Sequence, residues 1–162
     1  MRITTILCLF SLAQASAQTS ISGTIQSGGL TREYLLYVPA IYTGNTPAPL
    51  VLNLHGYGSN STQQQVYGNF RPIADTANFL VVHPNGTLDP QGNRFWNTFL
   101  IPSTVDDVAF ISDLIDTLES MYNIDPNRIY STGMSNGTCQ DRGLRRRGQP
   151  QIPEDSLIAR RG

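Results

Sequence analysis

One serine in this chain of 162 residues stands in a setting suited to nucleophilic chemistry: residues 133–137 read Gly133-Met134-Ser135-Asn136-Gly137. A serine hydroxyl is a poor nucleophile. Acyl transfer therefore needs it exposed at a strand end, near a base and near N–H donors that hold the oxyanion. Glycines two positions before and two after the serine let the chain turn sharply without side-chain clashes, as a nucleophile elbow does. At average Gly and Ser usage the pattern G-x-S-x-G arises by chance in about one chain of this length in twenty. Its weight therefore depends on what surrounds it.

The rest of such a site can be sought among the remaining residues. An apolar run, PLVLNLHG, ends in His55-Gly56-Tyr57-Gly58. In an elbow-bearing sheet one oxyanion donor is the N–H after the nucleophile and the other comes from the loop after an earlier strand, here Asn136 and Tyr57. Trp96, in what reads as a long surface loop over 87–103, is a candidate wall of a substrate cleft, although a large aromatic is at least as often core. Only two histidines exist, His55 and His83, and both precede Ser135, whereas the usual order is serine, acid, histidine. His83 should lie two strands from the elbow, about 9–10 Å away at the usual strand spacing, and a base must come within about 3 Å. His55 sits one strand nearer, and its expected role is to hold the oxyanion loop by hydrogen bonds. The triad acid and base are thus unassigned. Asp106-Asp107 read as first-turn acids complementing a helix dipole rather than as metal ligands, and neither a metal nor a cofactor is expected.

The elements that would position these residues can also be read. Residues 20–27 and 31–38 flank Gly28-Gly29 as an antiparallel hairpin. Residues 50–54 and 79–82 are short apolar runs of the kind buried on both faces of a parallel sheet. The segment 56–66 reads as a polar loop, FRPIADTAN as a short helix with Pro72 in its first turn, and His83-Pro84-Asn85-Gly86 as a turn. Apolar positions at 108, 111, 115, 118 and 122 predict a helix from Val105 to Tyr122, with Thr104 as cap and Asp106 and Asp107 mostly facing water. DPNR at 125–128 predicts a turn, and 128–132 a strand running into the elbow. Strand, helix, strand, helix, strand builds an α/β fold around a mostly parallel sheet.

Both ends of the sequence differ from the middle. MRITTILCLFSLAQASA, residues 1–17, has a basic start, an apolar stretch and Ala15-Ser16-Ala17, the pattern of an export signal. Leu7 before Cys8 is too bulky for lipoprotein processing, so the expected product starts near Gln18 and is secreted, to the periplasm or beyond. Cys139 would then be its lone cysteine. Up to Gly137 there are 5 Arg and 9 acids, and from Thr138 onward 6 Arg and 3 acids. The tail 138–162 is Arg-rich, broken by Gly and Pro and without an apolar helical face. It is expected to be disordered or out of frame. The formal net charge is −1, and no apolar run of membrane-spanning length follows the first 17 residues, so neither nucleic acid nor a membrane span is implied.

REYLLYVP, PLVLNLHGYGSN, FLVVHPNGT, Trp96-Asn97, VDDVAFISDLID and YNIDPNRIYSTGMSNG occur in that order. This succession resembles the secreted α/β-hydrolases grouped with polyhydroxybutyrate depolymerases and feruloyl or acetylxylan esterases, over about residues 30–137. The resemblance implies an α/β-hydrolase fold truncated after the elbow, occupying 18–137. It also implies hydrolysis of an extracellular carboxylic ester, polymeric or from plant wall, with Ser135 as nucleophile and Tyr57 and Asn136 as oxyanion donors. The chain as written is expected to be inactive because the triad acid and histidine are missing. A non-catalytic polymer-binding fragment and a peptidase of the same fold are the alternatives.

Overall fold

The computed structural model describes residues 19–98 and 103–140. The proposed export signal, and the tail beyond Gln140, lie outside the described residues. The expected hairpin is present as β1 (Thr19–Ser27) and β2 (Leu30–Val38), paired antiparallel with Leu30 opposite Ser27. Gly28 and Gly29, with φ of 57° and 77°, make the turn that other residues rarely adopt. The buried runs form β3 (Ala48–Leu54) and β4 (Leu80–Pro84), and β7 (Ile124–Gly133) leads to the elbow. The five-stranded sheet has the order β1-β2-β4-β3-β7. Its β3–β4 and β3–β7 pairs are parallel, and its β2–β4 pair is antiparallel.

Helices cover both faces of the sheet. On one face α3 (Asp107–Met121) lays Phe110, Ile111, Leu114, Ile115 and Leu118 against Leu36, Leu50, Leu52, Leu54, Val82 and Ile129, all buried. Each such side chain contributes about 1.5–3 kcal/mol when fully buried. On the other face Tyr37, Val51, Ala74 and Val81 form a smaller cluster, with Phe70, Phe79 and Tyr130 packed against it. This alternation along β3 is what a strand buried on both sides requires. Among the described residues β7 pairs only with β3, so it stands at the sheet edge.

Several expectations need correction. Residues 61–66 of the segment read as loop fall in α1 (Ser61–Tyr67), because Asn60 accepts the N–H of Gln63 and caps a Gln-rich turn with no apolar periodicity. The cap of α3 is Asp106, which accepts from Val108 and Ala109, rather than Thr104. Asp107 does not face water: it is buried in an ion pair with Arg32 at 2.6 Å. His83 and Pro84 belong to β4 rather than to a turn, and residues 125–128 fall within β7, where the pairing with β3 shifts register between Ala48 and Leu50. The stretch read as a loop around Trp96 contains the small antiparallel pair β5 (Thr87–Leu88) and β6 (Arg94–Phe95). Helix α2 (Arg71–Ala77) lies where expected, with Pro72 in its first turn.

Candidate active site

The elbow follows directly from β7. Met134 N–H still donates to Leu54 O at 3.1 Å, continuing the alignment with β3, and a helical segment over 136–140 then begins. Between them Ser135 has φ 52°, in the left-handed region that a non-glycine residue adopts at a cost. Gly137 N–H donates to Met134 O, Thr138 and Cys139 N–H donate to Ser135 O, and Thr138 Oγ1 donates to Gly133 O at 2.8 Å. The Ser135 side chain is left exposed at the turn's outer face.

Close approach explains both flanking glycines. A Cβ on Gly137 would lie 2.6 Å from the carbonyl oxygens of His55 and Leu54, and one on Gly133 would lie 2.8 Å from the carbonyl carbon of Gly137. The elbow is thereby pressed onto the end of β3. The loop after β3 arrives at the same place, since a Cβ on Gly56 would be 3.3 Å from Met134 O and 3.5 Å from Ser135 Cβ. Tyr57, next in sequence, is half exposed, and its hydroxyl donates to Asp89 Oδ2 at 2.6 Å. That donation holds the Asp89 carboxyl below its usual range and raises the Tyr57 phenol. Asn136 is buried, with its side chain bound to residues 96 and 98. Among the described residues neither Tyr57 N–H nor Asn136 N–H is matched with a backbone acceptor. Ser135, Gly56, Tyr57 and Asn136 are therefore brought together.

The histidines lie elsewhere. His55 is fully buried, its Nε2 accepts the N–H of Gly86 at 2.9 Å, and its Nδ1 meets Gly56 O at 2.7 Å. An Nδ1–H tautomer satisfies both contacts, and burial pushes the imidazole pKa down, against protonation. Both ring nitrogens are occupied in holding the loop. His83 lies on β4 with β3 between it and β7. Burial pushes its pKa down to about 4, and its Nδ1 has no partner. No hydrogen bond joins either histidine to Ser135 among the described residues. No cluster of His, Cys, Asp or Glu there could hold a metal.

Of the two places that the sequence left open for Trp96, the structure gives it the core, where it is fully buried. Its indole Nε1 donates to His55 O at 2.8 Å, and its ring lies 5.0 Å from the His55 ring. The segment behind it is pinned by Asn97 N–H, which donates to Asp107 Oδ2 at 2.6 Å. A hollow of about 480 Å³ lined by Arg32, Glu33, Asn85, Gly86 and Arg94 lies apart from Ser135.

These features define an α/β-hydrolase: a mostly parallel sheet with helices on both faces and a serine on a strained strand-to-helix turn beside the loop after an earlier strand. Within that class the chain is similar over most of its length to carboxylic-ester hydrolases. It is 32% identical over 114 residues, 67% of its length, to a bifunctional acetylxylan esterase/xylanase of Neocallimastix patriciarum. It is 29% identical over 106 residues to feruloyl esterase B of Piromyces equi, and 29% identical over 150 residues to a poly(3-hydroxybutyrate) depolymerase of Ralstonia pickettii. The matches span 15%, 20% and 31% of those three relatives. A crystal structure of a thermostable esterase superposes with a TM-score of 0.57 at 27% identity, over 73% of this chain and 35% of that one. No family model matches.

Proposed function

We propose that this chain carries the nucleophile-bearing part of a serine carboxylic-ester hydrolase. The carrying observation is Ser135, held outward at φ 52° against Gly56. In the reaction the Ser135 Oγ attacks the ester carbonyl carbon, and the carbonyl electron pair moves onto oxygen, where the N–H groups of Tyr57 and Asn136 receive it. Collapse expels the alcohol and leaves an acyl-serine, which water cleaves to the free acid. The hydroxyl proton must pass to a base, and positioned general bases supply about 10²–10⁴-fold in rate. Neither His55 nor His83 stands where it could take that proton, so the chain as it stands hydrolyses esters weakly.

Residues 1–17 act as an export signal in this reading, and the substrate is an extracellular ester, polymeric or attached to a plant-wall polysaccharide. The similarity to depolymerases and feruloyl and acetylxylan esterases supports this substrate class. Two measurements on the full chain test the proposal. Phenylboronic acid, which forms a tetrahedral adduct with an accessible serine, should bind the parent chain and not Ser135→Ala; equal binding to both would refute the role of Ser135. Turnover of p-nitrophenyl butyrate that is efficient and abolished by Ser135→Ala would refute the absence of a working base.

A further inference from the structure

The residue placed in the core, Trp96, touches both segments that flank Ser135. Its indole N–H donates to the carbonyl of His55, at the root of the loop bearing Tyr57. Its backbone N–H donates to Asn136 Oδ1 at 2.7 Å, and its carbonyl accepts from Asn136 Nδ2 at 3.3 Å, a two-point clasp on the elbow. Trp96, His55 and Asn136 are all buried. We infer that Trp96 is a positioning residue, a strut that sets the separation of the Tyr57 and Asn136 N–H groups; this rests on the reading of Ser135 as nucleophile.

The physical case comes from what an oxyanion hole requires. Its donors act only when fixed within hydrogen-bond distance of the developing negative charge, and loosening by about 1 Å is enough to lose the benefit. The other contacts between the two segments, Met134 N–H to Leu54 O and the seat of Gly137 on Leu54 and His55, hold the strand ends together. Beyond His55 the two segments meet by the packing of Gly56 on Met134 and Ser135. The indole hydrogen bond to His55 O, made by a rigid two-ring side chain in a buried setting, fixes the root of that loop, because there water cannot compete and little rotamer freedom is lost. A tryptophan serving only as core filling could satisfy its indole N–H on any carbonyl. Here the acceptor is the residue whose two ring nitrogens also hold Gly86 and Gly56.

Trp96→Phe keeps the backbone clasp and most of the apolar volume and removes only the indole donation. The full chain, Trp96→Phe and a core control, Ile111→Val, are compared by hydrogen–deuterium exchange and by calorimetric titration with phenylboronic acid. Trp96→Phe should speed exchange several-fold in peptides spanning residues 55–58. It should weaken boronate binding about tenfold, a fraction of what deleting a whole oxyanion donor costs. Ile111→Val should do neither. Exchange and affinity within twofold of the parent, or changes matched by Ile111→Val, overturn the strut. If the parent fails to bind boronate, the role of Ser135 falls and the exchange pattern alone decides the strut. If Trp96→Phe does not fold, the emission of this single tryptophan in the parent decides instead: a saturable change on boronate binding supports the strut, and a silent one overturns it.

Discussion

Replacing Arg32 by methionine tests how the scaffold behind the site is held. Arg32 and Asp107 side chains are 3% and 0% exposed and meet at 2.6 Å. Arg32 also donates to Asn85 O at 3.2 Å and stands 3.8 Å over the Phe110 ring. Asp107 accepts from Asn97 N–H, so one ion pair ties β2, residues 85–86 after β4 and the segment behind Trp96 to the start of α3. Removing one partner of such a pair leaves an uncompensated buried charge and costs about 3–5 kcal/mol. With total stabilities of about 5–15 kcal/mol, that is a large share. At roughly 3 °C per kcal/mol for a chain of this size, Tm should fall by about 10–15 °C.

The pH dependence carries a second signature of the same substitution. Burial already raises the Asp107 pKa, with Arg32 opposing it, so without Arg32 the carboxyl rises further. A folded-state pKa raised above the unfolded one means that the native state binds more protons, so stability falls as pH rises through that window. The deficit of Arg32→Met should therefore be largest near pH 7 and shrink toward pH 5. Adding Asp107→Asn should recover most of the loss, because both charges are then gone. Thermal unfolding followed by circular dichroism measures all three. A Tm loss below about 3 °C for the single variant, or a double variant no better than the single, would refute the argument.

Other predictions follow from single residues. His83 is buried neutral with its pKa pushed down to about 4, so between pH 6.5 and 4 the unfolded chain takes up a proton that the folded chain refuses. Stability falls as pH drops through that window, by up to about 3 kcal/mol; His83→Leu should flatten the acid limb of Tm against pH, and an unchanged limb would exclude the mechanism. Ser135→Gly should relieve the left-handed strain and raise stability by about 1 kcal/mol in a urea titration, with no gain counting against strain at the elbow. Gly137→Ala places a Cβ 2.6 Å from two backbone oxygens, so it should cost at least about 1–3 kcal/mol and abolish boronate binding. A well-folded, binding-competent Gly137→Ala would show that the elbow tolerates a shift.

The sheet was legible because its signals are local. The runs at 50–54 and 80–82 are apolar beyond what a one-sided strand needs, Gly28-Gly29 allow the hairpin, and the apolar face of α3 repeats at helical spacing. The elbow was legible for the same reason, since both of its glycines are forced by backbone contacts that no side chain fits. What escaped depends on partners far along the chain. Nothing near Asp107 announces that Arg32 will bury it, and helix α1 carries no apolar periodicity and rests on one asparagine cap. Trp96 was ambiguous in sequence because a large aromatic suits a cleft or a core equally, and only the acceptors of its N–H groups separate the two.

In the proposed reading of the site, placing the nucleophile and activating it are separate tasks. The position of Ser135 is set by Gly133 and Gly137 against Leu54 and His55, and by helical hydrogen bonds to Ser135 O and Met134 O. None of these contacts involves an acid or a base. The loop proposed to supply the Tyr57 donor is likewise held by a neutral imidazole, an indole and the Tyr57–Asp89 bond rather than by any group that must accept the serine proton. Sites of this kind that lack the triad retain about 10³–10⁴-fold catalysis over water from the oxyanion hole and binding alone. Weak hydrolysis that survives Ser135→Ala would therefore report the oxyanion scaffold, and efficient hydrolysis that is lost with Ser135 would report a base. The two outcomes assign any measured rate to one half of the machinery or the other.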